Sequence, residues 1–250
     1  MSAALRASFA AGICTITLAR ADKRNALNDQ MYGVFADELA RAAGDPAVRV
    51  VLIEGEGVDF CSGNDVADFL QFAASGKSLV DAAVVRLIEQ LATFDKPLVA
   101  AVQGRALGIG FTMLLHCDLV CLAEDAELSA PFVPLGVVPE AASSLLLPAR
   151  IGHVRAFEIF ALGRAVRAAE ALALGLASRV VPRAGLAAEA QALATALAAQ
   201  PPEALRATKR LLRDGAAIAR VARAEQAVFD ARFRSPEAQA VFASFARRQK

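Results

Sequence analysis

Glu140 stands in PFVPLGVVPEAASSLL (131–146), a stretch otherwise made of apolar residues, prolines, a glycine and two serines. No Lys, Arg or His lies within nine residues of it on either side. A buried carboxylate without a partner is costly, so two readings compete: a solvated helix cap, or a base held in an apolar pocket to move protons. Pro139 is a natural first helical residue, which would place Glu140 in a first turn whose dipole lowers its pKa. Phe132, Val137 and Leu145 would raise it by desolvation, and this effect is expected to prevail once substrate covers the site.

Two glycine-containing turns could supply the complementary chemistry. GRALGIGFTMLLHCD (104–118) follows a strand-like run and precedes an apolar helical one. A dinucleotide fingerprint fails there because Met113 occupies the third glycine position, and a P-loop fails because Phe111 stands where Lys is needed. No G-x-S-x-G elbow is present either. What remains is a strand, a glycine turn and a helix start, whose unpaired N–H groups can hold an anion or a developing oxyanion. DFCSGNDVADF (59–69) is a second turn of this kind, with the Asn64 N–H available where Asp65 helps begin a helix. Each turn alone is equally well read as packing or Asx-type turn chemistry.

The elements that must position these groups alternate along the first two-thirds of the chain. VRVVLIEG (48–55), PLVAAVQG (97–104), DLVCLAED (118–125) and SRVVP (178–182) read as strands bounded by Gly or Pro. The alternating residues Ile13, Thr15, Thr17 and Arg20 read as a first strand rather than an export signal. Asn28 caps a helix carrying Met31, Phe35 and Leu39 and stopped by Gly44; residues 80–94 form another, with Val84, Leu87, Ile88 and Leu91 on one face. This alternation predicts an α/β domain. Beyond Pro182 only helical patterns remain, and such a tail packs back on the body or on a neighbouring subunit.

Composition narrows the function classes. The 27 basic and 26 acidic side chains nearly balance, which disfavours a nucleic-acid surface. The chain is 56% apolar, yet no run reaches the roughly 18 to 20 uncharged residues of a membrane span. Cys14, Cys61, Cys117 and Cys121 lack CxxC spacing, so reduced core thiols are expected, with neither a metal site nor disulfides. His116 and His153 are expected to be structural.

Taken in order, K-R-N-A-L (23–27), S-G-N-D (62–65), G-x-A-L-G-x-G (104–110), C-D-L (117–119) and P-x-x-x-L-G-x-x-P (131–139) resemble the crotonase superfamily of enoyl-CoA hydratases and isomerases. The resemblance covers most of residues 5–182. It implies a ClpP-like spiral of strand–strand–helix (ββα) units over residues 1–184 that binds an acyl-CoA thioester. It also implies a helical region over 185–250 that joins three subunits into a trimer, or six into a dimer of trimers. The backbone N–H groups of Asn64 and Ile109 would form the oxyanion hole. Lys23, Arg24, Ala26, Ser62, Gly63, Asp65, Gly108 and Phe132 would line the substrate and its CoA, with Lys209 or Arg232 as further phosphate contacts. No cofactor is implied beyond the coenzyme A of the substrate itself.

Hydratases of this family carry two glutamates, at the positions of Thr112 and Phe132 here. A hydroxyl and a phenyl ring cannot orient, deprotonate and deliver water. PFxxLGxxPExxSS instead resembles the peroxisomal type of Δ3,Δ2-enoyl-CoA isomerase, in which the acid at the Glu140 position is the base. Because the closing RRQK is not an S-K-L signal, a cytoplasmic setting is expected. The alternatives are a hydratase or other acyl-CoA enzyme that uses Glu140 differently, or a non-catalytic binding protein on the same scaffold.

Overall fold

A computed structural model of the chain describes residues 4–65, 67, 68, 71, 72 and 82–248. The N-terminal alternation belongs to two strands rather than one: β1 (Leu5–Ala10) and β2 (Ile13–Leu18) form an antiparallel hairpin. Its two-residue loop, Ala11–Gly12, has positive φ at both positions (49° and 80°), the backbone twist that hairpins favour. An alanine in that role gives little turn signal, which is why the hairpin is hard to read from the sequence.

β3 (Val50–Gly55), β4 (Leu98–Val102), β5 (Arg105–Leu107), β6 (Leu119–Ala123), β7 (Glu127–Ser129), β8 (Val166–Arg167) and β9 (Arg179–Val181) follow. The larger sheet runs β1-β2-β3-β4-β6-β9 and is parallel from β2 onward. A smaller sheet, β5-β7-β8, carries the chain away from the end of β4. The helices are α1 (Asp29–Gly44), α2 (Ala83–Thr93), α3 (Ile109–Thr112), α4 (Ser143–Ile151), α5 (His153–Leu162) and α6 (Ala168–Ala173), then α7 (Leu186–Ala198), α8 (Pro202–Leu212), α9 (Gly215–Phe233) and α10 (Pro236–Arg248). Of the helix expected over 80–94, residues 80 and 81 lie outside the described residues. The helix expected after Asp65 lies partly outside them as well.

The parallel strands are largely apolar because both faces of the sheet are covered, with Thr15, Thr17, Glu54 and Arg179 as exceptions. Val51, Ile53, Leu98, Ala100 and Val102 point into the main core with Met31, Phe35, Leu39, Leu87 and Leu91. The alternate residues Val50, Leu52, Val99, Ala101 and Cys121 meet Leu186, Ala190 and Ala194 of α7 on the opposite face. α9 packs on α2 and α4, so the helical tail closes over the α/β body. All four cysteines are free and buried. No helix among the described residues is long and apolar enough to cross a membrane.

Lys209 departs from its expected role as a phosphate contact. It is only 8% exposed, and its Nζ donates to Asp118 Oδ2 (2.7 Å) and to the Lys96 carbonyl (2.8 Å). Three positions earlier Arg206 pairs with Asp95, so α8 is pinned to the start of β4 through its basic residues. Arg232 is engaged with Glu237 at the α9–α10 corner. Lys209 is buried whereas Asp118 reaches solvent, so removing the lysine costs its hydrogen bonds without leaving a buried charge. Lys209→Ala is therefore expected to lower the unfolding free energy by about 2 kcal/mol in denaturant titration. A loss below about 1 kcal/mol would mean that the pair is effectively solvated.

Candidate active site

The turns that follow β3 and β4 are zipped together by backbone hydrogen bonds. Phe60 N–H donates to Gln103 O, Cys61 N–H to Arg105 O, and Leu107 N–H to Cys61 O, all within 2.8–3.0 Å. Such contact leaves no room for side chains between the strands. A Cβ on Gly110 would fall 2.6 Å from the Cys61 carbonyl oxygen, and one on Gly63 would fall 3.0 Å from that of Leu107. Gly108, at φ 55° and ψ −121°, turns the chain into the one-turn helix α3. Among the described residues, neither the Asn64 N–H nor the Ile109 N–H donates to a protein acceptor. Thus two unpaired N–H groups are held on adjoining turns.

The segment 20–27 completes this edge. Ser62 N–H donates to Arg24 O (3.0 Å), Leu27 N–H to Gly63 O (2.8 Å), and Asp65 N–H to Leu27 O (2.9 Å). Lys23, Arg24, Ala26, Ser62, Gly63 and Asp65 are thereby gathered in one place, with Lys23 and Arg24 exposed. Two organisers of this edge are not evident from spacing alone. Asn25 is fully buried in a left-handed conformation, and its amide donates to Glu56 O and Asp59 O while accepting from Arg20 N–H. Arg20 binds Asp65 Oδ2 (2.6 Å) and the Ala26 carbonyl (3.1 Å).

Tyr32 is a further residue that sequence reasoning missed. Its hydroxyl donates to Asn64 Oδ1, fixing the side chain of the residue whose backbone N–H is unpaired. Burial, followed by the charge of Glu140, pushes the phenol well above its usual value, so it remains a neutral donor. A lone tyrosine between Met31 and Phe35 on the apolar face of α1 was the available signal, since a buried phenol needs a partner. A small cavity of about 40 Å³ adjoins this pair, bordered by Leu27, Tyr32, Asn64 and Phe72.

Glu140 is not a surface cap. It is 6% exposed, and the Thr112 hydroxyl donates to its Oε1 at 3.1 Å. Thr112 lies three residues after Ile109 in α3, so this bond ties the acid to the Ile109 turn. The charge of Glu140 also adds to the rise that burial gives the Tyr32 phenol and the Cys61 thiol. Phe132 is buried against Phe160 with 5.5 Å between ring centroids and Val137 is buried too, whereas Leu145 is exposed.

The expected first helical turn does not form at Glu140. Helix α4 begins at Ser143, and Ala141 and Ala142 both adopt left-handed φ (58° and 56°). The physical reason lies below the loop. His116 Nε2 meets the Ala141 carbonyl at 2.7 Å, while its Nδ1 faces Arg213 Nη2. Burial and then Arg213 lower the imidazole pKa to about 3, so the ring is neutral. It must accept from Arg213 at Nδ1 and donate to Ala141 from Nε2. His116 is therefore structural, and the structure it holds is the loop that carries Glu140.

Without a helix end beneath it, Glu140 is governed by desolvation. Burial raises its pKa from 4.5 to about 7, the Thr112 bond opposes this, and Glu225 adds to it. Because the folded value lies above the unfolded one, the folded chain binds the extra proton between them, and stability falls as pH rises through that window. Fully ionised, the buried group costs about 3 kcal/mol. Glu140→Gln should accordingly gain melting temperature relative to the parent between about pH 5 and pH 8, with the gap closing at lower pH. A difference that does not vary with pH would contradict the raised pKa.

A family model described as enoyl-CoA hydratase/isomerase matches residues 8–250. The chain is 35% identical over 205 residues to enoyl-CoA delta isomerase 2 of Rattus norvegicus, covering 81% of this chain and 52% of that protein. It is 34% identical over 194 residues to 1,2-epoxyphenylacetyl-CoA isomerase of Escherichia coli K12, covering 76% and 74%. Among solved structures, OdaA of Pseudomonas aeruginosa superposes with a TM-score of 0.92 at 41% identity, covering 98% of this chain and 99% of its own. An enoyl-CoA hydratase/isomerase of Pseudoalteromonas atlantica gives 0.91 at 35%, covering 98% and 97%. The zipped turns, the paired N–H groups and these likenesses agree, and the chain belongs to the enoyl-CoA hydratase/isomerase family with the crotonase fold.

Proposed function

We propose that this protein moves the double bond of a 3-enoyl-CoA thioester to the 2 position, with Glu140 as the base. One observation carries the reading. A buried carboxylate, Glu140, with a pKa of about 7 is bonded to the helix that presents the Ile109 N–H, while Thr112 and Phe132 stand where hydration would need acids. A base whose pKa lies near neutrality can both take and return a proton at working pH. Enoyl-CoA delta isomerase 2 of the rat, at 35% identity, is a relative whose name agrees with this chemistry.

In the proposed sequence Glu140 removes a proton from C2. The C–H electrons form a C1=C2 bond, and the thioester carbonyl electrons pass to oxygen. The resulting dienolate oxygen accepts hydrogen bonds from the Asn64 and Ile109 N–H groups, which stabilise it more than the neutral carbonyl. Glu140 then returns the proton to C4, the carbonyl re-forms, and the double bond lies between C2 and C3. Tyr32 keeps the Asn64 side chain in place during both transfers. Lys23, Arg24, Ala26, Ser62, Gly63, Asp65, Gly108 and Phe132 would line the thioester and its CoA.

A cytoplasmic homotrimer or pair of trimers is part of the same proposal. Val154, Phe157 and Leu162 of α5 and Leu211 and Leu212 of α8 are exposed apolar side chains of the kind an assembly covers.

Purified protein offered 3-enoyl-CoA should produce new conjugated-thioester absorbance, with little hydration of 2-enoyl-CoA. Faster hydration than isomerisation would overturn the assignment in favour of a hydratase. Glu140→Gln should lower kcat by roughly 10³-fold with KM changed little, because the amide cannot accept the C2 proton. The parent's kcat/KM should rise with pH through about 7, as Glu140 ionises. A flat profile from pH 5 to 9 would exclude Glu140 as the group that must ionise.

A further inference from the structure

The loop that carries Glu140 is held from a second side by another buried acid. Glu225 lies on α9, is 7% exposed, and accepts the Ser144 N–H at Oε1 (2.8 Å). Its other oxygen, Oε2, is buried as well, and the Ser144 hydroxyl and the Ala142 N–H also act on the carboxyl group. One carboxyl group of α9 thus holds the turn at both Ala142 and Ser144. His116 holds the Ala141 carbonyl, and Glu225 holds the Ser144 amide. Between them sit Ala141 and Ala142, the two left-handed residues that turn the chain from Glu140 into α4.

The ionisable groups around Glu140 come from several elements, and most keep one charge state. Tyr32 on α1 stays neutral because burial raises its phenol well above 10. Cys61, on the turn after β3, stays a thiol with a pKa raised to about 12, chiefly by burial. His116 stays neutral with a pKa of about 3, and Thr112 does not titrate. Glu225 is the remaining acid whose charge reaches Glu140, and burial raises its own pKa as well.

We propose that Glu225 is a positioning residue for Glu140. Anchored on the Ser144 N–H, it fixes the left-handed turn behind the base and sets a second acidic charge beside it. Helix α9 thereby takes part in the chemistry of a loop some eighty residues earlier in the chain. The inference rests on the reading of Glu140 as the base, but its central test does not depend on turnover.

The carboxyl titration of Glu140 is followed by NMR in the substrate-free full chain labelled with ¹³C-glutamate, the signal being assigned by its loss in Glu140→Gln. In Glu225→Gln, which keeps an oxygen to accept the Ser144 N–H but carries no charge, Glu140 should titrate about half a pH unit or more lower. The acid limb of kcat/KM should move in the same direction, with KM little changed. An unmoved Glu140 titration overturns the proposal. Should Glu225→Gln fail to fold, the Glu225 signal itself serves: in the parent it should change in two steps, the upper one coinciding with the ionisation of Glu140, and in Glu140→Gln in a single step. A single step in the parent overturns the proposal equally. Failure of the catalytic reading looks different, since Glu140→Gln would then turn over normally whatever the titrations give.

Discussion

Backbone packed directly against backbone, at the turns after β3 and β4, is the constraint on which the rest depends. The N–H groups of Asn64 and Ile109 belong to different crossover units, and they come close only because nothing thicker than a main chain separates them. Gly110 against the Cys61 carbonyl and Gly63 against that of Leu107 leave no space for a side chain. The bonds from Cys61 to Arg105 and from Leu107 to Cys61 then fix the register between the two turns. Two N–H donors set this way form a rigid, uncharged site for an anion that exists only briefly, and rigidity matters because donors that must reorient lose much of their effect.

Around this backbone the chain arranges an acid under tension. Glu140 is buried with one hydrogen bond from Thr112, and among the described residues none forms an ion pair with it. Its ionisation is therefore opposed by desolvation and is not assisted by a helix end, because α4 starts three residues later. What keeps α4 from starting earlier is a network of buried polar groups: Arg213 to His116, His116 to the Ala141 carbonyl, and Glu225 to Ser144. All three of these side chains come from outside the loop, and two of them from the C-terminal helical region. The tail thus shapes the electrostatics of the site as well as covering the core.

Much of this was legible in the sequence, for identifiable reasons. The β-branched runs ended by glycine or proline mark β3 and β4, and Asn28 caps α1 with the bond to Met31 N–H that its type predicts. Glu140 announces itself as an acid without a partner among apolar neighbours. Other features could not be read so. The β1–β2 hairpin turns on an alanine with positive φ, a role usually filled by glycine or asparagine. Lys209 looks like one more basic residue on a solvated helix, and only the fold brings Asp118 and the Lys96 carbonyl to it. Tyr32 and Asn64 lie 32 residues apart, and nothing in their spacing joins them.

By itself the sequence determined what is local: which runs form strands or helices, where glycine must turn the chain, and which acid lacks a neighbour to neutralise it. These follow from periodicity, backbone sterics and the cost of charge, all of which act over a few residues. The tertiary structure alone decided which groups meet: Tyr32 with Asn64, Thr112 with Glu140, His116 and Glu225 with the turn between them. A pKa near 7 on Glu140 is likewise a property of the folded chain, because desolvation depends on everything packed around the carboxylate and not on the residues beside it in sequence.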